Sequence, residues 1–182
     1  MDTQLKNGKQ VEQMHLLIRI LAQLHFIMFV LRFYGKMKNI YEEYSVEELA
    51  RSKIPNLVFV YQFLNIKDLA IDMKYWEKCA DVLICRGHKR IKDVEFLMLI
   101  WLQDLNWSGS IKIFKYFLAL DVNDLNELFI DSFQLAYLQN DVEWAINLWN
   151  LLLNKKDGNI IEKNIRENIC LSKFIEEILD EK

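Results

Sequence analysis

The sequence predicts an all-α protein, and three observations carry the prediction. Apolar residues recur at spacings of three and four along most of the chain, the repeat of a helix face. The 182 residues include only 5 Gly and 1 Pro, too little tight-turn chemistry for a fold of many short strands. The segments between the periodic stretches are a few residues long, which favours antiparallel neighbours. Each helix leaves a wide apolar face that only a neighbour can cover. The expected architecture is therefore a short solenoid of stacked antiparallel helical hairpins, with an additional N-terminal helix.

With apolar residues at 52%, the chain can bury a sizeable core without metal or disulfide help. A formal net charge of −3 speaks against a general nucleic-acid binder. Cys79, Cys85 and Cys170 have neither disulfide nor zinc spacing. They read as small buried hydrophobes in a reducing compartment, and the expected location is the cytoplasm.

Residues 1–36 form a separate N-terminal part, with the helical-hairpin domain expected over 37–182. Residues 14–34 are strongly apolar, but Arg19, Gln23 and His25 interrupt them. The run between Arg19 and Arg32 is shorter than the ~20 residues a membrane span needs. Three readings fit: a helix packed on the domain, an amphipathic helix at a membrane surface, or residues preceding a true start at Met37.

Within the main domain, Ser45 and Glu48 form a capping box for a short helix ending near Lys53. Pro55 suits the first turn of the next helix, which carries Leu57, Val58, Tyr61 and Leu64; the β-branched run at 58–61 is also compatible with a strand. A long helix over 67–85 follows, closed by Gly87. The next helix spans 91–105. Ser108 or Ser110 is available to cap a helix over 111–120, and Asn123 one over 124–138. Asn140 and Asp141 open a helix ending near Asn154. Asp157 and Gly158 break the chain before a last amphipathic helix over 160–179.

Chemistry is sparse. His15 and His25 lie in the N-terminal part, and His88 sits in a basic turn, read as solvated. No phosphate-binding loop, metal-ligand spacing or nucleophile–base pair stands out. The expectation is a chain without catalytic, metal or cofactor sites. Charge is more informative. Between Asp104 and Glu143, Lys112 and Lys115 are the only cations, against Asp121, Asp124, Glu127, Asp131, Asp141 and Glu143 among others. Asp124, Glu127 and Asp131 are spaced to share one helix face, with Asp121 and Asp141 in the adjoining turns. These six residues form the candidate surface for a basic protein partner.

One stretch is more specific. Trp101, Leu102, Gln103, Asp104, Leu105, Asn106 and Trp107 resemble the Trp-Leu-Gln-Asp-Met-Asn-Trp-Pro signature of a family of small bacterial helical domains of unknown function. Asp141, Glu143 and Trp144 resemble the acidic-Trp element that the family carries one hairpin later. The likeness covers residues 76–153, and Ser108 stands where the family has proline. The resemblance implies a HEAT-like fold and, through the toxin–immunity loci near which such domains occur, an immunity protein that occludes a basic toxin domain. Trp101, Gln103, Asp104, Asn106, Trp107 and Trp144 themselves read as a fixed inter-helix corner. The alternative function is a helical scaffold or membrane-peripheral adaptor anchored by residues 14–34.

Overall fold

The structure, a computed structural model, describes residues 40–60 and 73–180, all within a unit that spans Asn39–Lys182. The apolar N-terminal segment, His15 and His25, and residues 61–72 with the start of the expected 67–85 helix, lie outside the described residues. Regular structure among the described residues is helical, with no strand. The helices are α1 (Ile40–Glu43), α2 (Val46–Arg51), α3 (Asn56–Val60), α4 (Trp76–Arg86), α5 (His88–Ile91), α6 (Glu95–Ile100), α7 (Ser110–Ala119), α8 (Asn126–Gln139), α9 (Val142–Asn154), α10 (Asn159–Glu167) and α11 (Ile169–Asp180). Short 3₁₀ turns occupy Met73–Tyr75, Trp101–Gln103 and Val122–Asp124. Among the described residues no helix is long and apolar enough to cross a membrane.

Local signals set several boundaries. The capping box forms as read: Glu48 N–H donates to Ser45 Oγ (3.2 Å) and Ser45 N–H to Glu48 Oε2 (2.7 Å). Pro55 directly precedes α3, its carbonyl accepting from Val58 N–H, and the 58–60 run is helical. Gly87, at φ +75°, ends α4 by donating to the carbonyls of Leu83 and Ile84. Cys79 is buried in α4, whereas Cys85 is exposed. Six residues at 100° each turn Cys85 well away from the buried stripe, and Cys170 is half-buried, so the expectation of buried thiols holds only for Cys79.

Two expected helices are broken. The 91–105 segment is helical only over α6 and the 3₁₀ turn that follows it, and its first residue, Ile91, instead ends α5. Asn56 Nδ2 donates to Arg90 O (2.6 Å) and Asp93 Oδ1 (2.8 Å). That carbonyl is the one Val94 N–H would take in a continuous helix; Val94 N–H bonds Ile91 O instead. The C-terminal helix divides at Asn168, whose Oδ1 accepts from Cys170 N–H and Leu171 N–H (3.2 and 3.4 Å). The break shifts the apolar phase, so Ile161 and Ile165 on α10 and Leu171, Phe174, Ile175 and Ile178 on α11 are all buried.

The core runs through the helix stack. α4 packs on α2, α3 and α7; α9 packs on α7, α8, α10 and α11; α8 also meets α6, α10 and α11. Phe59, Trp101, Phe117, Phe129, Phe133 and Trp144 are its largest fully buried side chains. Each contributes about 1.5–3 kcal/mol or more by leaving water, more than any single cap.

Cations from distant helices close three helix ends. Lys78 Nζ on α4 donates to Tyr41 O and Tyr44 O beside α1 (2.5 and 2.6 Å). Arg86, also on α4 and buried, donates to Leu49 O, Ser52 O and Ile54 O after α2, and its guanidinium lies over the Phe59 ring. Lys155, buried at the end of α9, donates to Phe117 O (3.0 Å), Leu118 O (3.2 Å) and Leu120 O (2.5 Å) at the end of α7. A helix C-terminus offers carbonyls without partners and a partial negative charge, which a cation satisfies together.

Candidate functional site

The Trp101–Trp107 stretch forms the corner between α6 and α7. Asp104 Oδ1 accepts from Asn106 N–H (2.7 Å), and Asp104 O accepts from Trp107 N–H (3.1 Å). Trp101, fully buried, donates its indole N–H to Ser108 O (3.1 Å). Trp107, half-buried, meets the Trp76 ring edge-on at 5.6 Å. Neither Ser108 nor Ser110 caps α7, against expectation. Gly109, in the left-handed region at φ +89°, turns the chain into the helix without a side-chain cap. The buried Ser110 hydroxyl donates back to Leu105 O (2.6 Å). A Cβ at Gly109 would come 2.9 Å from Ala80 Cβ and 3.2 Å from Trp101 Cζ2, so glycine is required for packing as well as for φ.

This corner is bonded to the second element that the sequence singled out. Gln103 Nε2 donates to Asp141 Oδ2 (3.1 Å), while Asp141 Oδ1 accepts from Trp144 N–H (3.0 Å) and starts α9. The buried Trp144 indole donates to Leu99 O (2.9 Å), and Asn147 Nδ2 to Leu102 O (2.9 Å). Gln103, Asp104, Trp101, Asp141 and Trp144 are thus spent on one corner, whereas the Asn106 side chain is exposed.

The six acidic candidates divide. Asp121, exposed, accepts from Asn123 N–H (2.8 Å) and caps the Val122–Asp124 turn, whereas Asn123 does not cap α8 as expected, because the helix starts after Leu125 without a side-chain cap. Asp124 precedes α8 rather than lying on it, because Leu125 and the 3₁₀ turn intervene; its Oδ1 pairs with Lys92 (3.1 Å). Lys92 holds the Asp124 carboxyl below its ordinary range, with His88 adding to the effect. Glu127 and Glu143 are exposed on the first turns of α8 and α9, and Asp131 is half-buried on α8. Lys112 turns away from this stretch, toward Asp81 (2.7 Å) and Glu77 (2.9 Å) of α4.

His88 is not a solvated loop residue. It is half-buried at the start of α5, with Nδ1 2.8 Å from Oε1 of Glu95, a carboxylate that is 1% exposed. Tyr116 on α7 donates its hydroxyl to the same oxygen (2.6 Å). His88 Nε2 lies 3.3 Å from Asp124 Oδ1, at ion-pair distance but without hydrogen-bond alignment. The Glu95 bond chiefly, aided by Asp124 and opposed by desolvation, raises the imidazole above its ordinary 6.5. Burial and the Glu95 carboxylate together push the Tyr116 hydroxyl far up. The seven-residue spacing of His88 and Glu95 was the one signal of this cluster in the sequence. Among the described residues no group of three or more His, Cys, Asp and Glu side chains is placed to hold a metal ion.

Comparison of the chain with protein-family models, with curated proteins and with solved structures found no match.

Proposed function

We propose that the chain is a non-catalytic protein-binding module of immunity type, a short HEAT-like stack that occludes a basic toxin domain through the acidic surface between Asp121 and Glu143. One observation carries this reading: Asp121, Glu127 and Glu143 face solvent, while Lys112, a cation of the same stretch, is engaged with α4. An excess of charge of one sign, here with Lys115 as the exposed cation of the stretch, raises the rate at which an oppositely charged protein docks. The stacking is supported by contacts between helices two apart in the chain, α7 with α9, α8 with α10 and α9 with α11, as in a helical solenoid. Trp101, Gln103, Asp104 and Trp144 support a structural rather than a chemical role, since their side-chain polar atoms are engaged within the corner. The likeness to domains near toxin–immunity loci supplies the kind of partner.

The test is co-purification of the tagged full chain with the product of the adjacent gene in its native host. Binding kinetics then follow, with the Glu127→Lys/Glu143→Lys variant and a salt series. The expected result is a stable complex whose association slows by roughly tenfold or more in the variant and in high salt. No complex, or one indifferent to both charge reversal and salt, overturns the proposal.

A further inference from the structure

The ring of His88 sits between two acidic side chains: Glu95 is hydrogen-bonded at Nδ1, and Asp124 lies at ion-pair distance from Nε2. Glu95 Oε1 already accepts from the Tyr116 hydroxyl (2.6 Å), and its contact to His88 Nδ1 (2.8 Å) is met by an N–H on that nitrogen, donating to a second lone pair of the same oxygen. On the other side, Nε2 is buried and faces Asp124 Oδ1 at 3.3 Å. A neutral imidazole carries one N–H. With the proton on Nδ1, a lone pair at Nε2 faces the Asp124 carboxylate; with it on Nε2, a lone pair at Nδ1 faces Glu95. Only the imidazolium matches both neighbours.

The surrounding groups decide which contact fails when the proton leaves. Glu95 from α6 is buried and Tyr116 from α7 is half-buried, so water cannot readily replace the N–H at Nδ1. Asp124, from the 3₁₀ turn, is exposed and has Lys92 as a second cation at 3.1 Å. Lys89 and Arg90, the other charges on α5, are exposed. The proton lost is therefore the one on Nε2, and it goes to solvent.

We propose that His88 is a proton-operated latch: as imidazolium it fastens the Val122–Asp124 turn, the connection leading into α8, to α5 and α6, and as neutral imidazole it releases that turn while its bond to Glu95 persists. The sign follows from the two groups. His88 is raised, so its contribution is complete below 6.5 and is lost as pH rises through the higher folded value. Asp124 is lowered from 3.8, so its contribution is complete above that value and is lost as pH falls through the lower folded one. The latch is closed between these limits and opens on the alkaline side. It acts on the turn before the acidic helix whether or not that helix meets a partner.

The experiment uses the full chain with ¹⁵N-labelled histidine. Ring-nitrogen shifts are followed from pH 5 to 9, and backbone amide exchange is measured over residues 122–125. His88→Gln identifies the signal by its loss. Asp124→Asn, which keeps the buried Glu95–Tyr116 bond, serves the same end by shifting it if the first variant does not fold. The expected result is an imidazolium with its midpoint above 6.5. Amide exchange in the turn, corrected for intrinsic pH dependence, should become at least about fivefold faster as the ring titrates, the lower end of ordinary two-site coupling. Asp124→Asn should lower the midpoint and abolish the change in exchange. A ring titrating at or below 6.5, or one that titrates without altering protection of the turn, overturns the latch.

Discussion

Asp141 separates a structural corner from a contact surface, because it belongs to both the acidic candidates and the corner. In Asp141→Ala two bonds disappear: the cap to Trp144 N–H at 3.0 Å and the acceptor of Gln103 Nε2 at 3.1 Å. Loss of an N-cap costs about 1 kcal/mol. A hydrogen bond to a charged acceptor contributes about 1.5–3 kcal/mol, and partial exposure places this one at the lower end. The sum is about 2–3 kcal/mol. Gln103→Ala removes the shared bond and a long one to Gln139 Oε1 (3.5 Å), so it should cost about 1.5 kcal/mol, and the double variant should cost little more than Asp141→Ala. The cycle then returns a coupling of about 1 kcal/mol. Urea unfolding followed by circular dichroism measures it, as a lower midpoint at unchanged slope. Glu143→Ala, an exposed neighbour, should stay within about 0.5 kcal/mol of the parent. If Asp141→Ala also falls in that range, or adds fully to Gln103→Ala, the corner does not depend on these bonds.

Two further substitutions test how the helices are joined. Gly109→Ala places a Cβ at φ +89° and 2.9 Å from Ala80 Cβ; left-handed backbone costs about 1–2 kcal/mol and the crowding about 1–3 kcal/mol. It should lower stability by about 2–5 kcal/mol in the same urea assay, with part of the loss recovered by adding Ala80→Gly, and no recovery would place the strain elsewhere. Lys155→Met keeps the aliphatic bulk but leaves the buried Phe117 carbonyl without its ammonium donor. It should cost about 1–3 kcal/mol, read as a lower thermal midpoint, and an unchanged midpoint would show that the ammonium does not hold the end of α7.

Features whose physics closes within about one helical turn were legible in the residues alone. The helical class follows from apolar spacing, and the Ser45–Glu48 box needs only two residues three apart. Gly87 ends α4 because it accepts a backbone few other residues adopt, and Asp141 starts α9 because its carboxylate reaches the third amide onward. The Gln103–Asp141 bond was half legible, as two elements marked without any sign that they touch. Distant partners decided the rest. Asn56, 34 residues from Arg90, takes the carbonyl that would have continued a helix. Asn168 had an equally local signal, but an unbroken apolar pattern concealed it. His88, Glu95, Tyr116 and Asp124 meet only because α5, α6, α7 and the turn before α8 converge, and Lys155 finds its carbonyls only because α9 packs beside α7. Spacing along the chain specifies which atoms lie within reach on one helix. Which carbonyls and carboxylates a cation from another helix meets depends on how the helices pack, and burial then makes those contacts obligatory by removing the water that would otherwise satisfy them.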